Sequence, residues 1–319
     1  MLHPRLMARV APGSIRWWAG RVEPDLVLAA FDAEVRRSLR PDGSGARIEA
    51  GRFVVRWVGA ADQGWSGIAW SGLGAADADA VIADQMAYFA ARGEKFEWKL
   101  YDYDQPPDLG RRLLAAGFAA EGEESLMVTE VDTVPTQVTL PPGVRLLPVT
   151  DEAGIGLLAD AHERVFGTGS SRLRRSLTAQ LHQCPGDMAM VVAMAGDQPV
   201  CSARIEFLPG TSFASLWGGG TLPGWRGQGI YRALIAYRAQ LAAARGYRYL
   251  YVDASPDSQP ILARLGFSSL ARTTPYVWDP SARLTARQRG PASGIPARRR
   301  VRLSHGRAAH PMAGQVAGR

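Results

Sequence analysis

The stretch Gly218-Gly-Gly-Thr-Leu-Pro-Gly-Trp-Arg-Gly-Gln-Gly-Ile-Tyr231 carries the chemistry most directly readable from residue types and spacing. A strand pattern ends in it and a helical pattern begins where it stops. The first amides of a helix have no acceptor in a preceding turn. Glycines let such amides converge on one point, and the helix dipole adds partial positive charge there. Arg226 and Arg232 contribute formal charge on either side. Together these residues suit a pyrophosphate or a similar dianion. A glycine turn alone often serves only packing. Greater specificity comes from the order strand, Arg-Gly-x-Gly, helix, strand, and finally Leu265-Gly-Phe267.

The elements that must position this turn follow from hydrophobic periodicity. In the second half, strands are expected at Val144–Leu147, Met188–Ala195, Val200–Phe207 and Phe213–Gly220, and helices at Asp151–Phe166, Arg172–His182 and Ile230–Arg245. In the first half, helices are expected at Pro24–Leu39 and Ala75–Arg92, and strands at Phe53–Val58, Trp65–Trp70 and Ser125–Val131. Both halves then close alike. Ala91-Arg-Gly leads through a bulky strand, Asp104 and Pro106-Pro107 to Ala116-Gly-Phe118, and Ala244-Arg-Gly leads through Asp253 and Pro256 to Leu265-Gly-Phe267. Glycine after a helix and proline in its first turn have defined conformational roles. The same unit occurring twice points to a tandem duplication.

With these elements in order, Val144 to Pro280 resembles the GNAT (GCN5-related N-acetyltransferase) acyltransferases. The family's phosphate loop, Arg/Gln-x-x-Gly-x-Gly/Ala, is similar to Arg226-Gly-Gln-Gly229-Ile-Tyr231, and its later strand, short helix and Leu-Gly-Phe are similar to Tyr247–Phe267. The resemblance implies an α/β (α+β) chain of two tandem GNAT-like domains, each a mixed, mostly antiparallel sheet flanked by helices. The expected division is an N-terminal extension at 1–20, a degenerate copy at 21–132, a linker at 133–143, a catalytic domain at 144–280 and an Arg-rich tail at 281–319. It further implies an N-acyltransferase that moves an acetyl group from acetyl-CoA, as cosubstrate, to a primary amine by direct attack in a ternary complex. No metal is implied. A non-catalytic acyl-CoA-binding module is the alternative.

By the same resemblance, Gly227, Gln228, Gly229, Ile230, Tyr231 and Arg232, with Arg226, hold the CoA pyrophosphate. Gly220, Thr221 and Leu222 pair with the pantetheine arm, and the thioester lies between Trp217–Leu222 and Leu250–Ser255. Ser255 stands where the family often has Asn, and Ser258 either touches the cofactor or caps the following helix. Tyr231 stands where Gly or Ala is usual. Leu262 replaces the Tyr that many members place near the leaving thiolate. Glu206, ending the third strand of the second half, is the best candidate for the base that deprotonates the amine. Asp253, His162 and His182 are weaker candidates, and Tyr276 is expected on the last strand. The acceptor is a small-molecule or peptide amine, shaped by loops such as Gly167–Arg175 and Leu208–Ser212.

At the matching place the first half has Trp70-Ser-Gly-Leu-Gly-Ala-Ala-Asp-Ala-Asp79, without Lys or Arg. Asp77 and Asp79 at the helix start suit the dipole but repel phosphate. They are expected to occupy the amides themselves, leaving this half without cofactor and packed on the other.

Composition bounds the rest. The chain has 319 residues, 46% hydrophobic and 21% charged, enough for two ordinary domains. It lacks the roughly 20-residue apolar run of a bilayer span and shows no signal-peptide pattern, so no membrane role is expected. Two cysteines, Cys184 and Cys201, without metal-ligand spacing fit a reducing cytoplasm. The net charge of +7 comes from nine arginines beyond Ser281, which leave residues 1–280 at about −2. That tail reads as a solvated extension, with weak electrostatic contact to nucleic acid as the other reading. Oligomeric state has no signature.

Overall fold

The computed structural model describes residues 23–60 and 65–281. The expectations for the extension at 1–20 and for the tail beyond Ser281 lie outside the described residues. The first half runs α1 (Pro24–Phe31), β1 (Arg47–Ala50), β2 (Val54–Val58), β3 (Gly67–Ser71), α2 (Ala78–Ala91), β4 (Phe96–Tyr101), α3 (Leu109–Ala115), β5 (Ala119–Ala120) and β6 (Glu124–Glu130). The second runs β7 (Val144–Val149), α4 (Glu152–Phe166), α5 (Ser171–Gln183), β8 (Met188–Ala195), β9 (Gln198–Phe207), β10 (Phe213–Thr221), α6 (Ile230–Ala244), β11 (Tyr249–Ala254), α7 (Gln259–Arg264) and β12 (Ser268–Trp278).

Local chemistry sets several boundaries. The Asp151 carboxylate accepts the Gly154 amide at 2.7 Å and starts α4, which stops at Gly167 in the left-handed region, φ 68°. The expected helix at Pro24–Leu39 ends regular winding at Phe31 and continues as one π-helical turn, Asp32–Arg36. That wider turn carries both Val35 and Arg36 inward.

Among the described residues, all strands join one 12-stranded sheet of order β1-β2-β3-β4-β12-β6-β11-β10-β9-β8-β7, with β5 on the side of β12. The pairings are antiparallel except β3 with β4 and β10 with β11, at equivalent places in the two halves. The halves are not two separate sheets. β6, the last strand of the first half, pairs with β11 of the second. β12, the last strand of the second, pairs through Ser268–Thr273 with β6 and through Thr273–Trp278 with β4. Each half is thus completed by the other's final strand.

Strand alternation divides the core between two faces. Leu250, Val252, Ala214 and Leu216 pack under α6 against Ile235, Ala239 and Ala242. On the opposite face Tyr249, Tyr251, Phe213 and Val128 meet Val27, Phe31 and Val35 from α1 and its π turn. The first half's opening helix therefore covers strands of the second half. Each large apolar side chain so buried contributes roughly 1.5–3 kcal/mol. This face also buries charge: Lys99 on β4 lies 2.7 Å from Asp253 on β11 and 3.4 Å from Glu124 on β6.

Candidate active site

β10 and β11 pair only over Phe213↔Tyr249, Ala214↔Leu250 and Ser215↔Tyr251. Beyond Ser215 they diverge, and a bulge between Trp217 and Gly220 shifts β10 against β9. An extra residue in one strand frees backbone groups from the ladder and re-aims the chain. Gly218 adopts φ 58° within the bulge, where a side chain would be strained. Gly220 lies tight under α4: a Cβ there would come within 2.5 Å of Val165.

The turn after β10 is tied down from outside its mouth. Leu222 donates its amide to the Val200 carbonyl at 2.9 Å, and Arg226 Nε donates to the Thr221 carbonyl at 3.0 Å. Gly227 and Gly229 take φ 74° and 83°, and Gly229 precedes the first residue of α6. A Cβ on either would meet nothing within 4 Å, so the turn faces open space. Among the described residues, the amides from Gly227 to Arg232 meet no backbone acceptor, and the first α6 bond starts at Ala233, to the Gly229 carbonyl. Gln228 bonds back to the Gly224 carbonyl at 3.3 Å, and Arg232 is exposed. Tyr231 does not crowd the mouth. Its ring turns inward beneath Gly219, where a Cβ would approach it to 2.9 Å.

Glu206 stands half-buried at the end of β9, its carboxylate accepting from Arg204 Nε at 2.9 Å. Burial pushes its carboxyl above the ordinary range, with Arg204 opposing. Arg204 lies 4.9 Å over the Trp217 ring. His162, buried on α4 against Phe166, is held neutral to about pH 4, by burial first and Arg204 second. Both recesses of this face open on Glu206. One, of about 100 Å³, is lined by Val35, Leu39, Trp57, Leu208, Trp217 and Tyr251. The other, of about 70 Å³, is lined by His162, Thr168, Arg172, Arg175, Trp57 and Arg204. The loops expected to shape an acceptor pocket, Gly167–Arg175 and Leu208–Ser212, border these recesses.

Other candidates fall elsewhere. Ser255, half-buried at the end of β11, faces Ser258 across 3.2 Å. Ser258 is fully buried and donates to the Ser255 carbonyl, which holds its own turn. Asp253 is engaged by Lys99, a structural partner. His182 is exposed beside Glu152. Tyr276 pairs with Trp98 of β4 and packs in the first half's core, away from Glu206. Cys201 is a buried free thiol that accepts from Thr221, and Cys184 is also free. Trp57 and Leu39 come from the first half and carry no local motif. Arg204 was recoverable only as a charge at an inward position of an otherwise apolar strand.

The equivalent place in the first half is closed. β3 and β4 pair at Gly67↔Glu97 and Ile68↔Trp98 and then separate. Arg36 fills the gap, donating to the Ala69 carbonyl at 3.1 Å and to both Asp104 oxygens at 2.8 and 2.9 Å. The expectation that Asp77 and Asp79 take the helix-start amides is corrected. The Gly74 carbonyl accepts from Asp77 and Ala78, while Asp79 turns to Arg112 at 2.8 Å. The short turn itself brings the Gly74 carbonyl to the Asp77 and Ala78 amides, in place of a side-chain cap.

Residues 156–267 match the model of the acetyltransferase (GNAT) family. The matched segment spans most of α4, the splayed strands, the glycine turn and the Leu265-Gly-Phe267 ending. No curated protein is similar enough to match. Among solved structures, a GCN5-related N-acetyltransferase from Kribbella flavida superposes with TM-score 0.58 at 18% identity, covering 82% of this chain and 96% of its own. A GCN5-related N-acetyltransferase from Sphaerobacter thermophilus gives 0.55 at 16%, covering 81% and 91%. A tandem GNAT protein from the clavulanic acid biosynthesis pathway gives 0.53 at 13%, covering 85% and 95%. These likenesses establish a shared fold: a large, mostly antiparallel sheet flanked by helices, as the GNAT resemblance implied. Among the described residues, no group of His, Cys, Asp or Glu is placed to hold a metal ion, and no helix is long and apolar enough to cross a membrane.

Proposed function

We propose that the protein transfers a short acyl group, in the simplest case acetyl, from acyl-CoA to a primary amine within a ternary complex. The observation that carries this reading is the row of unpaired amides from Gly227 to Arg232, opening beside diverging β10 and β11. The chain fits such a cosubstrate. Converging amides at a helix start suit a diphosphate, and the strand end at Gly220, Thr221 and Leu222 offers backbone to an extended pantetheine arm. Its acyl end then reaches the face carrying Glu206, Trp217 and Tyr251.

In this reading Glu206 accepts a proton from the incoming ammonium, and burial raises its basicity toward neutral pH. The free amine forms the N–C bond, the C–S bond breaks, and the nitrogen releases a second proton as the amide forms. The departing thiolate takes up one proton, so one is released overall. Backbone groups freed by the Trp217–Gly220 bulge support the transient oxyanion. The first half serves as scaffold and as one wall of the acceptor pocket, since Arg36 fills its own slot.

A second reading, an acyl-CoA-binding module without turnover, is favoured by Leu262, fully buried where many GNAT members carry Tyr. Calorimetry with acetyl-CoA and a thiol-release assay over amine classes separate the two. Micromolar binding with thiol release supports transfer, whereas binding with no release for any amine supports the module. Absence of acetyl-CoA binding sinks both.

A further inference from the structure

We infer that Arg238 is a positioning residue for acyl transfer: its buried guanidinium, without an acid partner, lies under the β10 bulge and holds that backbone at positive potential where the oxyanion forms. The assignment rests on the acyl-transfer reading above. Arg36 and Arg238 are both among the largest fully buried side chains. Their surroundings differ. Arg36, in the closed slot of the first half, is neutralised by Asp104 through two charge-assisted bonds. Arg238, on α6, donates Nε to the Leu234 carbonyl and Nη1 to the Arg204 carbonyl of β9, both at 3.0 Å.

Both acceptors are neutral, and the remaining nitrogen, Nη2, is buried with no hydrogen-bond partner. Among the described residues, no carboxylate is placed against this guanidinium. Burial is the chief influence against its charge, and Arg204 adds to it. A guanidinium nevertheless stays protonated. A cation kept in the interior without a counter-ion is strongly unfavourable in the resting protein. Such a charge is offset wherever negative charge develops beside it.

The unpartnered end of Arg238 reaches β10 at its bulge. A Cβ on Gly219 would lie 3.6 Å from Nη2 and 2.9 Å from the Tyr231 ring. A Cβ on Gly218 would instead lie 3.6 Å from Arg204 Nη1. Two guanidiniums therefore flank the irregular stretch between Trp217 and Gly220. Arg204 is paired with Glu206 at 2.9 Å, so its charge is largely neutralised, whereas that of Arg238 is not. As the amine attacks, the thioester oxygen against this backbone gains negative charge. A fixed cation behind the strand stabilises that state more than the neutral thioester. Arg238 gives up no proton and does not touch the cosubstrate; it acts through residues 218–220.

The test uses the full chain with Arg238→Lys, which keeps the charge, and Arg238→Met, which removes it. Acetyl-CoA affinity is measured by calorimetry, and the thioester carbonyl band of bound, isotope-labelled acetyl-CoA by infrared difference spectroscopy without acceptor. Thiol release is followed with phenethylamine, spermidine or glycinamide, whichever reacts fastest with the wild type. Arg238→Met should bind acetyl-CoA within about twofold of wild type while kcat falls about 10–100-fold. The carbonyl band, moved to lower wavenumber on binding the wild type, should return toward its free position. Arg238→Lys should keep most of the band shift and of kcat. The denaturant midpoint of Arg238→Met should not drop, since the charge it removes has no counter-ion. A band unmoved by Arg238→Met, equal kcat losses in both variants, or losses that track lowered midpoints in both overturn the inference. A band shift that depends on Arg238, with no thiol release from any amine, leaves the inferred field in place and sinks acyl transfer. Unimpaired release by Arg238→Met does the reverse, and a wild type that does not bind acetyl-CoA overturns both.

Discussion

Lys99 of the first half donates to Asp253 of the second across 2.7 Å, with β12 and β6 lying between their parent strands β4 and β11 in the sheet. Both side chains are buried, and Glu124 and Glu97 share their surroundings. The lysine is the positive centre of an acidic cluster. Lys99→Met should destabilise the protein by about 3–5 kcal/mol, because buried carboxylates lose their partner. Denaturant unfolding checks this, and adding Asp253→Asn to Lys99→Met should recover part of the loss.

The exchanged strands make a stronger claim about folding. Residues 23–135 expressed alone lack the β12 partner of β4 and expose the faces of β6 meant for β11 and β12. They should fail to give a cooperative unfolding transition, while co-expression with residues 136–281 should restore one. A cooperative transition from the first half alone would contradict the strand exchange.

At the glycine turn, Arg226→Glu combined with Gly229→Glu should weaken acetyl-CoA binding by roughly a hundredfold or more, about 2.7 kcal/mol. Added carboxylates repel the diphosphate, and φ 83° at Gly229 disfavours a side chain. The circular-dichroism spectrum should be unchanged, since a Cβ at Gly229 meets no neighbour. Gly229→Ala isolates the conformational part and should cost far less affinity.

Glu206→Gln should lower kcat by about 10²–10⁴ and leave acetyl-CoA affinity unaltered. Because burial raises the carboxyl's pKa, the reactive base form appears only above that raised value. The wild-type rate should therefore climb with pH through a point above the ordinary carboxylate range. The variant's pH–rate profile should lack that climb.

His162 gives a stability prediction with a defined sign. Its folded pKa is depressed from 6.5 to about 4, so the unfolded chain binds the extra proton between those values. Stability from this group is complete above 6.5 and is lost as pH falls toward about 4. His162→Gln should flatten that part of the curve of denaturation midpoint against pH.

The amino-acid sequence discloses the glycine turn and its flanking elements almost residue by residue. Met188–Ala195 is a strand with the expected limits, and Ile230 begins α6 as its periodicity indicates. Such features are local, since each depends on neighbours a few positions away. Strand exchange is not local. Nothing in the alternation of Glu124–Glu130 or Ser268–Trp278 says which half will accept it, because a buried strand reads alike in either sheet. The same holds for Arg36, whose partner Asp104 is remote in sequence, and for Trp57, which reaches the recess beside Glu206 only once the halves are joined. The π turn at Asp32–Arg36 hid behind an ordinary helical pattern because it answers to the cavity beneath it.

The crossed final strands have a further consequence. The arrangement is that of a dimer whose subunits have traded their last strands and then been fused into one polypeptide. In the acyl-transfer reading proposed above, the half without cofactor is still indispensable, since removing it strips a central strand from its neighbour. On that reading, a half relieved of catalysis yet fixed in place is able to alter the wall it presents to substrates while the glycine turn of the other half stays as it is.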